Sequence, residues 1–246
     1  MKIIKLNAIG STNSFLKDLA HNSMLEDYTV AVTNQQTSGR GQMNNSWHSE
    51  PFKNLTFSIF TRFKNLHINQ QPYLNFAVSN AIFEVLQSLS VPQLSIKWPN
   101  DIMSGNQKLC GILVETTFTN QKIKNSVIGI GLNVNQEKFP SHMTHASSLK
   151  NILKKEFDLD EIMHQLVEKI QLYVSKIESQ DLESIHKSYL KHLYKKDIPT
   201  AFKDERTKLF FMGMIKGVDT NGNLLVQLED DSIKEFQIKE VSLAKA

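Results

Sequence analysis

A single cysteine, Cys110, excludes a disulfide within the chain and a thiolate metal cluster. It stands in an apolar run and reads as a small buried hydrophobe. Charge of one sign is lacking too: 28 Lys and Arg against 25 Asp and Glu leave +3, too little to argue for a nucleic-acid partner. No apolar run is long enough to span a bilayer. Met1 to Leu6 is too short and too interrupted for a secretion signal, so the expected location is cytoplasmic. Internal repeats and low-complexity segments are absent. What is present is ordinary for a protein that buries a core, 40% hydrophobic and 22% charged residues. The length of 246 residues suits one medium domain, or one domain with a small appendage.

The chain is organised around Lys97-Trp98-Pro99-Asn100-Asp101. The apolar run Leu94 to Ile96 leads into it, and Pro99 ends it, because proline cannot donate to a sheet ladder. Lys97, Asn100 and Asp101 gather at that strand end beside an indole. A turn at Ser104 to Gln107 returns the chain as Lys108 to Glu115. Opposite charges and amides where a hairpin opens suit a polyanion site. A strand end with a solvated charge pair is the plain alternative, and spacing alone does not separate the two.

From the N-terminus, Ile3 to Leu6 predicts a strand, Asn7 to Gly10 a turn, and Ser14 to Ala20 a helix. Ser11, Thr12 and Asn13 before that helix are capping residues, but three exceed what one cap requires, and the surplus faces a ligand at the helix start. Tyr28 to Thr33 predicts a strand. It runs into a polar loop with Gln36, Gly39, Arg40, Gly41, Gln42, Asn45 and Trp47. The two glycines allow close backbone approach and Arg40 adds a positive fork; an ordinary surface loop is the competing reading. Leu55 to Phe60 alternates as a strand does. Pro72 opens a helix reaching Leu89, with core positions Leu74, Val78, Ala81, Ile82 and Val85. Leu109 to Phe118 and Ser126 to Asn135 predict paired strands covered on both faces. Gly111, Gly129 and Gly131 interrupt them, which implies something lying against the backbone there. Asn133 is either a turn former or a ligand contact. Helices are expected at Asp158 to Ile177, with Asp158 and Glu161 as a capping box, and at Leu182 to Tyr194. After Lys195-Lys196-Asp197 the strands are short: Leu209 to Val218, Leu224 to Leu228 and Ile233 to Ile238. They predict a small all-β module of roughly fifty residues, of barrel or SH3-like type. The expected division is 1–196 and 197–246.

Taken in order, Ser11-Thr12-Asn13, Gln36 with Gly39-Arg40-Gly41 and Trp47, Lys97 to Asp101, Lys108 to Glu115 and Gly129 to Asn135 resemble the motifs of biotin protein ligases. The resemblance covers the catalytic domain from end to end and extends to the C-terminal module. It implies an α+β fold: a class II aminoacyl-tRNA synthetase-like mixed sheet with helices, plus an SH3-like β-barrel. It also implies two half-reactions. Biotin and ATP, with Mg²⁺, give biotinyl-5′-AMP and pyrophosphate; the biotinyl group then passes to one lysine of a biotin carboxyl carrier protein, a subunit of acetyl-CoA carboxylase.

That chemistry accounts for the residue types. Biotin's carboxylate is already a nucleophile, so the first step needs cations to offset repulsion from the triphosphate rather than a base. Arg40 and Lys108 are the candidates, with Lys97 behind them. The ureido ring needs polar partners, since each group buried unpaired costs about 1–3 kcal/mol. By family position Ser11, Thr12, Gln36 and the Gly111 backbone supply them, and Asn13, Arg40, Gly41, Gln42 and Lys108 complete the biotin set. The adenylate set is Gly39, Arg40, Gly41, Trp47, Asn100, Lys108 and Asn133. Asp101 is assigned either to Mg²⁺ or to orienting the attacking amine. A lysine acceptor requires no covalent enzyme intermediate, hence no Ser-His-Asp or Cys-His set.

Two departures from the family pattern matter. Many members carry further arginines where this chain has Gln42 and Asn45, and an Arg to Gln change removes a charge-assisted bond to phosphate. Ser11 also lies too near Met1 to leave room for the helix-turn-helix of the family's bifunctional repressors, so no DNA partner is expected. No membrane partner is expected either; relatives dimerise through the catalytic sheet, which leaves a homodimer open. The competing readings are a lipoate protein ligase, which shares the fold and adenylate chemistry, and a non-catalytic biotin-binding protein. The glycine loop is expected to close over the adenylate.

Overall fold

The computed structural model describes residues 1–42 and 45–244; Met43 and Asn44 of the glycine loop lie outside them. A seven-stranded mixed sheet carries the first two thirds of the chain. Its order is β1 (Ile3–Ile9), β2 (Thr29–Gln36), β3 (Leu55–His67), β7 (Lys122–Leu132), β6 (Gln107–Thr119), β5 (Asp101–Ser104) and β4 (Leu94–Lys97). Only β1 and β2 run parallel, joined through α1 (Thr12–Asn22). The other pairs are antiparallel, and β4 to β7 follow one another through short turns. One such turn joins β6 to β7, with Asn120 and Gln121 at φ of 51° and 60°, the backbone a tight hairpin demands.

The two sheet faces are dressed differently because side chains alternate along each strand. Val30, Phe57, Ile59, Ile128 and Ile130 point into the main core with α2 (Gln71–Ser88) and α4 (Leu159–Glu178). Their neighbours Ala31, Phe60 and Val127 point the other way, into a small cluster with Leu16 of α1. Helix α2 is buried on nearly every side, whereas α4 buries one stripe, from Ile162 through Leu166 and Ile170 to Ile177. Asp158 caps α4 by accepting from Asp160 and Glu161 backbone N–H groups at 2.8 and 3.1 Å.

Beyond α1 the second face is built from small residues, and pairing register aligns them. Thr33 faces Thr56, Thr56 faces Gly131, Gly131 faces Gly111, Gly111 faces Asp101, and Asp101 faces Lys97. Directly paired residues project to the same side, so this single row crosses β2 to β4. A second row is Ala31, Ser58, Gly129 and Leu113. Missing side-chain bulk along both rows makes the floor of a cleft.

The C-terminal strands form a five-stranded antiparallel sheet. Its order is β11 (Ile233–Phe236), β10 (Leu224–Gln227), β9 (Phe210–Val218), β8 (Pro199–Asp204) and β12 (Val241–Leu243). Its inner residues Phe202, Ile215, Val226 and Phe236 join the same apolar core as the large sheet. The Trp98 indole N–H donates to the Gly222 carbonyl at 2.9 Å, and His186 Nε2 lies 2.7 Å from the Val218 carbonyl. The motif of the large sheet is thus bonded to the small one. Trp98→Phe is expected to lower stability by about 1 kcal/mol, the net worth of one hydrogen bond. Chemical denaturation checks this, and an unchanged midpoint would mean that water replaces the bond.

Several boundaries differ from the sequence reading. β1 runs to Ile9 rather than Leu6, because it pairs with β2 as far as Gln36. Helix α1 begins at Thr12, with Ser11 as its cap, so Thr12 and Asn13 lie inside the first turn. Helix α5 (Leu182–Lys191) stops short of Tyr194, since Tyr194 N–H bonds the Ile96 carbonyl and extends the edge of β4. The strands β8 and β12 and the short helix α3 (Leu149–Leu153) were not expected. Each is too short, or too mixed in pattern, to stand out from its neighbours.

Candidate active site

A cleft of about 1110 Å³ opens over the small-residue rows. Its wall contains Ser11, Thr12, Asn13, Gln36, Arg40, Gly41, Gln42, Lys108 and Gly111, along with Trp47, Lys97, Asn100 and Asp101. Residues chosen from four separate stretches of sequence therefore meet. Gly39 and Asn133 do not line it. A Cβ at Gly39 would lie 2.3 Å from the Trp47 carbonyl oxygen, so that glycine serves loop packing. Asn133 is 2% exposed, and its backbone links β6 to α3 by bonds with Leu109 and Leu149.

One end of the cleft is polar and uncharged. Gln36 Oε1 accepts from Thr12 backbone N–H at 2.9 Å and from its hydroxyl at 3.2 Å. Ser58 Oγ, buried beneath them, donates within 2.7 Å of Thr12 Oγ1 and 2.5 Å of Asn13 Oδ1. Asn13 Nδ2 donates to Glu115 at 2.9 Å. A Cβ at Gly129 would lie 2.3 Å from Asn13 Oδ1, so only glycine leaves room for this amide. The first-turn cluster exceeds a cap, as its sequence implied: Ser11 caps, while Thr12 and Asn13 build the polar floor.

The other end is charged. Lys108 Nζ pairs with Asp101 Oδ1 at 2.6 Å and lies 5.7 Å from the Trp47 ring centroid. The Lys108 backbone is fixed by bonds with His145 and Ser147. Trp47 lies flat on the glycine pair: a Cβ at Gly131 would meet its ring at 2.3 Å, and one at Gly111 at 3.1 Å. The buried indole N–H of Trp47 has no partner among the described residues. Lys97 is half-buried, and burial lowers its ammonium pKa; Asp101 opposes that, while Lys108 and Lys195 add to it. Lys108, seated on Asp101 at the cleft wall, is therefore the better-placed partner for an anion. Asn100 gives its amide N–H to the Ile112 carbonyl at 2.6 Å, which ties the turn after Pro99 to β6. Arg40 reaches Glu115 at 2.7 Å.

Asp101 is the carboxylate beside Lys108, and among the described residues no group of three His, Cys, Asp or Glu is arranged to hold a metal ion. No described helix is long and apolar enough to cross a membrane.

The segment His142 to Ala146 also lines the cleft and was missed. It belongs to the irregular connection between β7 and α3. The length of that connection is the available signal, since long structureless loops in compact domains are usually functional. Glu115 and Ser58 were missed as well; both look like ordinary strand residues until their partners are known.

Comparison with known proteins agrees with this geometry. Residues 6–133 match the Biotin/lipoate A/B protein ligase family. The Bifunctional ligase/repressor BirA of Bacillus spizizenii is 27% identical over 254 residues, covering 98% of this chain and 74% of that protein. The Biotin--[acetyl-CoA-carboxylase] ligase of Mycobacterium tuberculosis is 32% identical over 132 residues, covering 52% of this chain and 47% of that protein. The solved structure of biotin protein ligase from Aquifex aeolicus in complex with biotin and ATP superposes with a TM-score of 0.81 at 25% identity, covering 100% of this chain and 99% of that one. With half the chain matched by the family model and the whole fold shared, this chain belongs to the biotin/lipoate A/B protein ligase family.

Proposed function

We propose that this protein is an ATP-dependent biotin protein ligase, with residues 1–196 as the catalytic unit and 197–246 as an SH3-like domain. The observation that carries this reading is the union of two unlike ends in one cleft: the uncharged Thr12–Gln36–Ser58 set and the cationic Arg40–Lys108 set. A ureido ring needs the first. A carboxylate meeting a triphosphate needs the second.

In the first step a biotin carboxylate oxygen bonds to the α-phosphorus of ATP, and the bond from that phosphorus to the bridging oxygen breaks, releasing pyrophosphate. Arg40 and Lys108 offset the charge that accumulates; Asp101 holds the Lys108 ammonium in place. Trp47 offers a flat apolar surface to the adenylate. Mg²⁺ bound with ATP would supply charge screening of the phosphates, with Asp101 the carboxylate that could hold it. In the second step a neutral lysine amine of a biotin carboxyl carrier protein attacks the acyl carbon. The acyl–phosphate bond breaks, AMP leaves, and the amine loses a proton to solvent or to a carboxylate such as Asp101.

Incubation with biotin, MgATP and a biotin carboxyl carrier protein is expected to add one biotinyl group to one carrier lysine by intact mass. Modification only when lipoate replaces biotin would transfer the assignment to the lipoate branch. The lipoyl head is apolar and has no use for the Thr12–Gln36 pair, which favours biotin.

Between Gly39 and Trp47 the sole charged residue is Arg40. With Gln42 and Asn45 in place of further arginines, the adenylate is expected to be held loosely and to acylate bystander lysines. Comparable biotin incorporation into carrier and serum albumin would support this, and strict carrier selectivity would contradict it.

A further inference from the structure

The hairpin carrying Arg40 is folded back on itself: Gly41 N–H bonds Asn45 at 2.6 Å and Trp47 N–H bonds Gly39 at 2.8 Å. It meets the sheet where Trp47 lies on Gly111 and Gly131 and through the ion pair of Arg40 Nη2 with Glu115 Oε2 at 2.7 Å. Glu115 lies on β6 opposite Val127, two positions beyond Leu113 of the second small-residue row. It is absent from the wall of the main cleft. It lines a smaller hollow of about 550 Å³ with Ser38, Gly39, Gly41 and Ser46, and Arg40 is shared between the two spaces.

Glu115 is itself held from α1, by Lys17 Nζ at 2.8 Å and Asn13 Nδ2 at 2.9 Å. Burial alone would raise its carboxyl pKa. The bonds from Lys17 and Asn13 and the charge of Arg40 outweigh burial and hold it below the usual range. It is an anion at neutral pH. Through Asn13, Ser58 and Thr12 the same network continues to Gln36. The carboxylate is therefore where the arginine loop joins the polar floor of the cleft.

We propose that Glu115 is a positioning residue that clamps Arg40, and with it the backbone from Gly39 to Gly41, at the cleft and so retains the acyl-adenylate. The proposal rests on the ligase reading above. Glu115 is the fixed anionic seat of the single loop cation, and Arg40 also lines the main cleft. A chain whose loop has only one charge depends on that seat.

The test is a double-mutant cycle on the full chain, reading free biotinyl-AMP released per pyrophosphate formed. Glu115→Gln keeps the shape and removes the charge. It is expected to raise escape about fivefold, as loss of one partly exposed charged pair does. In an Arg40→Ala background it is expected to add nothing, because the partner is already gone. Equal increases in both backgrounds, or no increase in the wild-type background, would overturn the proposal, since Glu115 would then serve only the packing of α1. Should Glu115→Gln fail to fold, Glu115→Asp keeps the charge, draws it back from Arg40 by one methylene, and is read by the same comparison. Absence of biotin-dependent pyrophosphate from the unaltered protein would instead overturn the ligase reading, before any variant is compared.

Discussion

Lys108→Met is expected to slow biotin-dependent pyrophosphate release by about 10²–10³-fold, the usual effect of removing one preorganised charge donor from a transition state. The position is fixed from several sides. Its backbone is bonded to His145 and Ser147, its ammonium is seated on Asp101 at 2.6 Å, and Gly111 leaves space where a Cβ would come within 3.3 Å of Nζ. Methionine preserves the apolar stem, so the fold survives while the charge is lost. The effect should fall on kcat rather than on biotin affinity, since the ureido anchors lie at the other end of the cleft. Lys97→Met is expected to cost less, about tenfold, because burial already disfavours its ammonium form. Steady-state pyrophosphate assays on both variants check the order; equal losses would contradict it.

Gly131→Ala should be nearly as damaging for a steric reason. The new methyl would lie 2.3, 2.6 and 2.8 Å from three atoms of the Trp47 ring. β7 is locked between β3 and β6 and cannot retreat. The indole must lift from the cleft floor, and the Trp47–Gly39 bond transmits that shift to the arginine loop. A misplacement of about 1 Å costs roughly 10²-fold in rate, and overpacking costs about 1–3 kcal/mol in stability. Adding Trp47→Leu should restore much of the stability and little of the activity. Recovery of both would mean that the ring is a filler and not an adenylate surface.

What the sequence discloses divides along a physical line. Local chemistry is legible: Pro72 starting α2, Asp158 capping α4, and Pro99 ending the run from Leu94 all act on their own neighbourhoods. The motif residues were recognisable because each stretch keeps its order along the chain. Register is not local. That Thr56, Gly131, Gly111, Asp101 and Lys97 share one row depends on how five strands pair, and no single strand encodes it. The interrupting glycines signalled close approach, but only the fold identifies the visitors as Asn13 and Trp47. Glu115 was quoted within its motif, yet nothing in the sequence links it to Arg40, 75 residues away. The short strands β8 and β12 depend on pairing with each other, Val241 opposite Asp204, which no alternation reveals.

The most direct test of the central claim is pyrophosphate release from MgATP with biotin or lipoate as the only added acid and no carrier protein. A cleft with the Thr12–Gln36 floor at one end and Arg40 and Lys108 at the other predicts release with biotin and none with lipoate. Release with lipoate alone, or with neither acid despite measurable biotin binding, would contradict it.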